Sequence, residues 1–281
     1  MKNNVPVNIP AEKLHPFEGH PFKVLDNEEM NQLTQSIQEL GILSPLIVRP
    51  KENTADEYEI VSGHRRFRAA VKAGKKEVPA FVVPMDRAAA AIALVDSNLH
   101  REHLLPSEKA FAYKLKMDAL RHQGTSCQVG TKFRSDEQLA ENTSDSARQI
   151  QRYIRLTYLI PELLQKVDEG QIAFTPAVEL SYLTEQEQEI LLSEMDYADC
   201  TPSLSQAIRL HRFSQEGRLN GDVIYAVMSE EKANQKEKLK IPAERVRKFF
   251  PKDYTAAQME EEIVRMCESR YRKRQRDRDA R

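Results

Sequence analysis

The change of hydrophobic period at Asp86 constrains the fold of this chain more than any other feature. From residue 5 to about residue 84, short runs with the two-residue period of strands alternate with segments of helical period. The predicted strands are “VNIP”, “SPLIVRP”, “EYEIVSG” and “VPAFVVP”. After Asp86 the patterned segments are helical. The chain is therefore predicted to be α+β, with a small mixed-sheet domain followed by an all-helical part.

The segment “DNEEMNQLTQSIQELG” carries the clearest helix signals before Asp86. Asp26 is predicted to cap the helix, with Glu29 three residues later completing a capping box, and Gly41 ends it. One face carries the predicted apolar stripe, which consists of Met30, Leu33, Ile37 and Leu40.

Composition and charge limit the function. The 281 residues carry 42 Lys and Arg against 43 Asp and Glu, a formal net charge of −1, so any anion-binding surface must be local. The start “MKNNVPVNIP” lacks the apolar region of a signal peptide, and the run “AAAAIALV” is too short to span a bilayer. Three scattered cysteines argue against a disulfide framework. These features predict a soluble, helix-rich cytosolic protein.

The segment “VSGHRRFRAA” places a histidine and three arginines directly after Gly63, where a strand is predicted to become a helix. A helix N-terminus offers free N–H groups and a positive dipole end, and arginine suits phosphate oxygens. Arg65 and Arg66 fall in the first turn, where cations are unfavourable for the helix itself, so a bound anion would explain them. The alternative is a solvated basic face with Phe67 and Ala70 packed inward, and periodicity alone does not separate the two interpretations.

Three segments resemble the ParB family, the partition and nucleoid-occlusion proteins of bacterial chromosomes and plasmids. “GHRRFRAA” resembles its G-E-R-R-x-R-A box, and “LGILSPLIVRP” resembles its G-x-x-x-P-x-x-V-R segment. “SNLHREHLLPSEKAFAY” resembles its E-N-x-x-R-E-x-L-x-P-x-E-x-A-x-A-Y segment. The resemblance extends over roughly residues 5 to 195. It implies a ParB/sulfiredoxin-like nucleotide-binding domain at 1–120, a helix-turn-helix DNA-binding domain at 121–200 and a helical, dimerising region with a basic tail at 201–281.

The resemblance also implies a site for CTP and Mg²⁺. At the matching positions, Gly63, Arg65 and Arg66 would bind phosphates, and Asn98 would approach the metal. Arg101 would help to close the site. The remaining pocket residues implied by the resemblance are Gly41 and Pro45.

Two positions depart from the family pattern. His64 replaces the glutamate of G-E-R-R, and Ser97 replaces the glutamate that precedes the asparagine. The two changes remove the general-base candidates at these positions. We therefore expect CTP to bind with weak or absent hydrolysis, so that the chain acts as a binding module rather than an enzyme.

Four different functions compete with this interpretation. A sulfiredoxin-type reductase, with its G-C-H-R box, needs a thiolate where this chain has His64, and the nearest cysteine, Cys127, lies outside the domain. A ParB-like metal-dependent nuclease would need clustered ligands, and only His64 and Asp96 are near. An active CTPase and a nucleotide-independent helix-turn-helix transcription regulator are the third and fourth functions that the sequence leaves open.

The segment “SDEQLAENTSDSARQIQRYIRL” fits a helix-turn-helix. Ser135 is predicted to cap the first helix, “ENTSD” to form the turn, and Ser146 to start the second helix. The predicted inward-facing positions are Leu139, Ala140, Ile150 and Ile154.

The polar face of the second helix is the predicted contact with double-stranded DNA. From Ser146 to Leu156 the sequence has three arginines and no acid, although a solvated polar face remains the alternative. The candidate DNA-binding residues are Arg148, Gln149, Gln151, Arg152 and Arg155. Arg148, Gln149 and Arg152 are predicted to read bases, and Arg155 to hold a backbone phosphate.

The ends of the chain bear on its partners. Met259, Ile263 and Met266 form a stripe suited to a homodimer, which would match a palindromic DNA site. The tail “SRYRKRQRDRDAR”, with seven basic and two acidic residues, either contacts the DNA backbone or is a solvated end. “MKNNVPV” lacks both the basic peptide that engages a ParA-type ATPase and the membrane helix of nucleoid-occlusion relatives. A ParA-type partner would therefore dock elsewhere, and the expected location is cytoplasmic, on a nucleoid or plasmid.

Overall fold

The computed structural model describes residues 5–52, 54, 56–101, 103–126, 143, 145–230, 243–251 and 253–279. The chain forms two compact units, residues 1–230 and 231–281. The predicted first helix of the helix-turn-helix, with Ser135, Leu139 and Ala140, lies outside the described residues, as does Cys127.

The first unit begins with a five-stranded mixed sheet. Its strands are β1 (Val7–Pro10), β2 (Leu14–Pro16), β3 (Leu46–Pro50), β4 (Tyr58–Ser62) and β5 (Glu77–Val82). The strand order is β1-β5-β3-β4-β2, with β1/β5 and β3/β4 antiparallel and β5/β3 and β4/β2 parallel. The mixed sheet, and with it the α+β class, is confirmed. Strand β2 was not predicted, because three residues ending in proline show no period.

Strand β4 lies between two hydrophobic cores. Ile60 packs into the core that contains Met30 and Ile37, and Val61 packs into a second core with Leu94. Both β4 side chains are at most 1% exposed. A strand buried on both faces has a fixed register, since a slip of one residue would exchange the two faces. The end of β4 at Ser62 is therefore held firmly in place.

A buried ion pair ties the sheet to the loop that follows β2. Arg49 of β3 and Glu59 of β4 are 2% and 4% exposed, and Arg49 Nε donates to Glu59 Oε2 at 2.8 Å. The other oxygen, Glu59 Oε1, accepts a hydrogen bond from the Glu18 backbone N–H at 3.0 Å. A buried charge pair needs such additional hydrogen bonds to offset its desolvation. The start of the loop is thereby anchored on the sheet.

Four helices complete the part of the first unit around the sheet: α1 (Glu28–Leu40), α2 (His64–Lys72), α3 (Arg87–Asn98) and α4 (Pro106–Ser126). The predicted cap of α1 is wrong by one residue, because the Asn27 side chain accepts the Met30 N–H at 3.1 Å. Asp26 instead pairs with Arg68 at 2.8 Å and Lys72 at 3.2 Å. The predicted stripe is wrong at Leu40, which is 66% exposed.

The helices of the rest of the first unit pack around their own core. They are α5 (Ala147–Arg155), α6 (Pro161–Asp168), α7 (Phe174–Leu180), α8 (Glu185–Ala198), α9 (Leu204–Gln215) and α10 (Gly221–Met228). Ser146 caps α5 as predicted, because its side chain accepts the Gln149 N–H at 3.3 Å. Ile150 is fully buried, whereas Ile154 is half-buried. The buried Ile150 therefore determines which face of α5 packs against the core and which face is exposed.

The second unit contains α11 (Ala243–Arg247) and the long helix α12 (Ala256–Asp279). Of the predicted apolar stripe on α12, Met259 is buried, Ile263 is half-buried and Met266 is 52% exposed. Within the described ranges, neither this helix nor any other combines the length and hydrophobicity needed to cross a bilayer.

Candidate functional site

The turn from β4 into α2 depends on Gly63. Its backbone has φ 105° and ψ 21°, in the left-handed region that side chains disfavour. A Cβ at this position would lie 2.9 Å from Cγ of Leu46, a fully buried residue of the core. The Gly63 carbonyl accepts the Phe67 N–H at 2.9 Å and so starts the helix. Only glycine satisfies both the backbone conformation and the close contact.

A cavity of about 310 Å³ opens at this turn. It is lined by Leu33, Ser62, Gly63, His64, Arg65, Arg66, Ser97, Asn98 and Arg101. These residues include three arginines and no carboxylate, so the cavity is positively charged. Five of the seven predicted nucleotide-binding residues are therefore brought together by the fold.

The Arg66 guanidinium is held by uncharged groups. Its Nη1 donates to the Ser44 carbonyl, to Ser44 Oγ at 2.9 Å and to the Pro45 carbonyl at 2.9 Å. Among the described residues no carboxylate pairs with Arg66, and burial lowers the pKa of the guanidinium. Pro45, predicted as a pocket residue, thus positions Arg66 through its backbone. The charge of Arg66 remains available to an anion in the cavity.

Arg65 forms an ion pair at the surface. Its Nη2 lies 2.8 Å from Glu29 Oε2, and the two side chains are 40% and 68% exposed. An exposed pair of this kind contributes only about 0–1 kcal/mol, so a phosphate can compete with Glu29 for the arginine. Gly41 lies outside the lining of the cavity, at the end of α1, where its N–H donates to the Ile37 carbonyl at 3.0 Å.

Asn98 ends α3 at the cavity and is 7% exposed. Its Nδ2 donates to the Leu94 carbonyl at 2.7 Å and to Ser97 Oγ at 3.1 Å, which fixes the orientation of the amide. No described residue donates a hydrogen bond to Asn98 Oδ1. A neutral amide oxygen suits Mg²⁺ when phosphate oxygens and waters complete the shell. The described residues contain no cluster of three His, Cys, Asp or Glu side chains placed to bind a metal.

His64 is a neutral group in the wall of the cavity. Its ring centre lies 3.8 Å from that of His20, and its Nε2 accepts the Phe17 N–H at 3.4 Å. This hydrogen bond places the proton of the neutral ring on Nδ1. Burial lowers the pKa of His64 to about 3, with the charge on His20 and that on Arg101 adding to the effect. Sequence analysis missed His20, because no pattern links this loop residue to the arginine segment.

Arg101 follows α3 and lies 5.6 Å from the centre of the Phe22 ring. Burial lowers the pKa of its guanidinium, and the positive charge of Arg65 lowers that pKa further. An anion placed between Arg65 and Arg101 would therefore be stabilised by both charges. With three arginines and no carboxylate in its lining, the cavity is suited to an anion.

The predicted DNA-binding residues on α5 differ in exposure. Arg148 and Gln151 are exposed. Gln149 and Arg152 are half-buried and bonded to each other, with Arg152 Nη1 donating to Gln149 Oε1 at 3.3 Å. Arg152 Nη2 also donates to Thr175 Oγ1 at 3.0 Å. Arg148 and Gln151 are therefore the most exposed of the predicted DNA-binding residues.

Arg155, at the end of α5, lines a second cavity of about 250 Å³ between α4 and α5. The residues around this cavity are Lys114, Met117, Asp118, Arg121, Gln151, Ile154, Arg155 and Tyr158. Arg155 itself is half-buried and its Nη2 donates to the Ser181 carbonyl at 2.8 Å.

Comparison with known proteins finds relatives of the family that the arginine segment resembles. Residues 1–99 match the family model described as the ParB N-terminal domain. The chain is 37% identical over 167 residues to the chromosome-partitioning protein Spo0J of Thermus thermophilus, covering 59% of this chain and 56% of that protein. The chain thus spans little more than half the length of this relative.

Two solved structures of C-terminally truncated ParB from Caulobacter crescentus are also similar. The one complexed with CTP-γ-S is 30% identical, covers 63% of this chain and 91% of that chain, and has a TM-score of 0.33. The one complexed to the centromeric parS site is 25% identical, covers 79% and 98%, and has a TM-score of 0.43.

Proposed function

Because the chain belongs to the ParB family, we propose that it is a dimeric, sequence-specific DNA-binding protein that serves plasmid or chromosome partition. We further propose that its N-terminal part binds CTP with Mg²⁺. The observation that carries the proposal is the cavity at Gly63, whose lining has three arginines and no acid.

The cavity has the groups that a triphosphate requires. Gly63 leaves the N-terminal N–H groups of α2 accessible, and Arg65 and Arg66 add positive charge in the same turn. The triphosphate would offset the repulsion between Arg65 and Arg101. Asn98 Oδ1 would serve as a ligand of the Mg²⁺ that accompanies the nucleotide.

The two substituted positions favour binding over hydrolysis. His64 is neutral, and its Nε2 is bonded to the Phe17 backbone. Ser97 Oγ donates to the Leu94 carbonyl at 2.9 Å. Neither group is a carboxylate that orients or deprotonates an attacking water, whereas His64 Nδ1–H can donate to a phosphate oxygen. We therefore propose weak or absent CTP hydrolysis.

The DNA-binding part of the proposal rests on α5. Arg148 and Gln151 are exposed, and arginine and glutamine have the donors and acceptors that recognise guanine and adenine edges. A homodimer would present two copies of this helix to a palindromic site. CTP would close the dimer around DNA only through contacts that exist in the closed form and are absent from the open form.

Titration calorimetry with CTP and Mg²⁺ tests the cavity. Arg66→Gln should weaken CTP binding about 10- to 100-fold, because a hydrogen bond to a charged group contributes about 1.5–3 kcal/mol. Arg68→Gln is the matched control, since Arg68 is on the same helix but pairs with Asp26 and lies outside the cavity. Equal losses in both variants, or no CTP binding by the wild type, would contradict the proposal.

Phosphate release from CTP tests the missing carboxylates. The double variant His64→Glu, Ser97→Glu should hydrolyse CTP faster than the wild type while it still binds the nucleotide. The double variant His64→Gln, Ser97→Gln is the control, because it changes both side chains without adding a carboxylate. A wild type that releases phosphate as fast as the glutamate variant would show that hydrolysis does not depend on these positions.

A further inference from the structure

The last residue of α5, Arg155, has a guanidinium that is in contact with several protein groups. Arg155 Nη2 donates to the Ser181 carbonyl at 2.8 Å. The guanidinium carbon lies 3.9 Å from the centre of the Tyr182 ring and 4.5 Å from the centre of the Tyr158 ring. Arg155 Nε is buried and has no hydrogen-bond partner among the described residues. Two aromatic rings and one carbonyl oxygen therefore hold the guanidinium, while Arg155 also lines the cavity between α4 and α5.

This geometry is unfavourable for binding a DNA phosphate. The side-on two-point contact uses the Nε–H together with one N–H of Nη2; in Arg155 the Nε is enclosed, and one N–H of Nη2 donates to the Ser181 carbonyl. A phosphate that took Nη2 would leave the Ser181 carbonyl, at the end of α7, without this donor. The arginine would also lose its contacts with aromatic rings, which are strongest when the cation is desolvated.

The aromatic partner of Arg155 is itself fixed. The Tyr182 ring stacks on the His211 ring of α9, with centres 4.3 Å apart and planes 8° apart. His211 Nδ1 lies 2.7 Å from Glu179 Oε2 of α7. Arg155 therefore connects the end of α5, through the Tyr182 ring, to a side-chain cluster that joins α7 and α9.

We infer that Arg155 is a positioning residue, in place of the phosphate contact that the sequence alone predicts. It fixes the C-terminal end of α5 against the residues that follow α7, and so determines how the exposed Arg148 and Gln151 are presented. The inference deepens the proposed DNA-binding function and rests on it. A planar guanidinium is required for this role, because lysine offers only a point charge at a stacked site.

The test measures DNA affinity against salt concentration. The probes are the duplex that the wild-type protein enriches from a random library and a scrambled duplex of the same composition. Arg155→Gln should lower affinity for the enriched duplex about tenfold or more, leave affinity for the scrambled duplex unchanged, and leave the slope of log K against log salt unchanged. Arg155→Lys, which keeps the charge, should show the same selective loss.

Tyr182 supplies a matched pair that carries no charge. Tyr182→Leu should reproduce the selective loss of Arg155→Gln, and Tyr182→Phe, which keeps the ring, should bind like the wild type. Because Tyr182 is 45% exposed, this pair remains informative if Arg155→Gln does not fold. Circular dichroism and thermal unfolding establish which variants are folded.

The possible results distinguish the role of Arg155 from the proposed DNA binding itself. A slope that falls by about 0.9 in Arg155→Gln, with affinity restored in Arg155→Lys, would identify a lost phosphate contact and overturn the positioning role alone. Wild-type affinity in a folded Tyr182→Leu variant would also overturn it. A wild-type protein that enriches no sequence from the library would instead overturn the DNA-binding proposal, and the role of Arg155 with it.

Discussion

Replacement of Gly63 by alanine tests the close packing at the start of α2. The new Cβ would lie 2.9 Å from Leu46 Cγ and 3.3 Å from Arg66 Nη2. Leu46 is fully buried, so it cannot move aside freely. Positive φ costs a residue with a side chain about 1–2 kcal/mol, and overpacking a core costs about 1–3 kcal/mol. The sum predicts that the variant loses about 2–5 kcal/mol of its free energy of unfolding.

Gly74 provides the matched control for this substitution. Its φ is +72°, and a Cβ built there meets no atom within 4 Å. Gly74→Ala therefore tests backbone strain without a clash and should cost about 1–2 kcal/mol. Urea unfolding of both variants measures the difference, which we expect to be about 1–3 kcal/mol, the cost of overpacking.

The same two variants also test the nucleotide cavity. Gly63→Ala should weaken CTP binding in titration calorimetry, because relief of the clash with Leu46 changes the turn that places Arg66 at the cavity. Gly74→Ala should bind CTP like the wild type. A Gly63→Ala protein as stable as Gly74→Ala would refute the close contact with Leu46. A destabilised Gly63→Ala protein with wild-type CTP affinity would refute the requirement for this turn in nucleotide binding.

Three further predictions concern buried charges and titration. The pKa of His64 is lowered from an ordinary 6.5 to about 3, so the unfolded chain binds this proton at a higher pH than the folded protein does. The free energy of unfolding should therefore fall by about 1.4 kcal/mol between pH 7.5 and 5.5. His64→Gln should remove that part of the loss in urea unfolding. Glu59→Ala should cost about 3–5 kcal/mol, because it leaves the buried Arg49 with only the exposed Glu52 as a partner, and a cost below about 1 kcal/mol would contradict the pairing. Asp168→Ala should cost about 1–3 kcal/mol, since Asp168 accepts the Ser107 N–H at 3.0 Å, whereas an unchanged urea midpoint would contradict that contact.

Local patterns were sufficient to predict most of the elements. The four longer strands show a two-residue hydrophobic period in the sequence. Pro106 and Ser146 mark the starts of α4 and α5. The cap of α1 was misplaced because Asp26 and Asn27 are both good caps, and Arg68 and Lys72, about 40 residues away, draw Asp26 elsewhere. Helix α10 was missed because “DVIYAVM” is an almost continuous apolar run without helical period.

The candidate sites show where local patterns stop being informative. Gly63 and Arg66 lie in one short segment, so their juxtaposition follows from the sequence. His20 contacts His64 because β2 pairs in parallel with β4, so that the residues after the two strands lie at the same end of the sheet. The sequence predicts a phosphate contact for Arg155, and its bond to Ser181, 26 residues further along the chain, could not be predicted from the helix alone. Contacts between residues far apart in the chain do not change its hydrophobic period, so the sequence pattern cannot predict them.

The loop between β2 and α1 connects the nucleotide cavity with helices α4 and α6. Phe22 lies under Arg101 at the nucleotide cavity. The next residue, Lys23, donates its backbone N–H to Glu108 Oε1 of α4 at 2.8 Å and its Nζ to Asp168 Oδ2 of α6 at 3.1 Å. Any movement of Arg101 toward a triphosphate must be accommodated by Phe22, one residue from the bonds that hold the helices. A ligand shifts an equilibrium only through contacts that differ between two states, and the contacts of Phe22 and Lys23 are the ones by which a movement of Arg101 would reach α4 and α6.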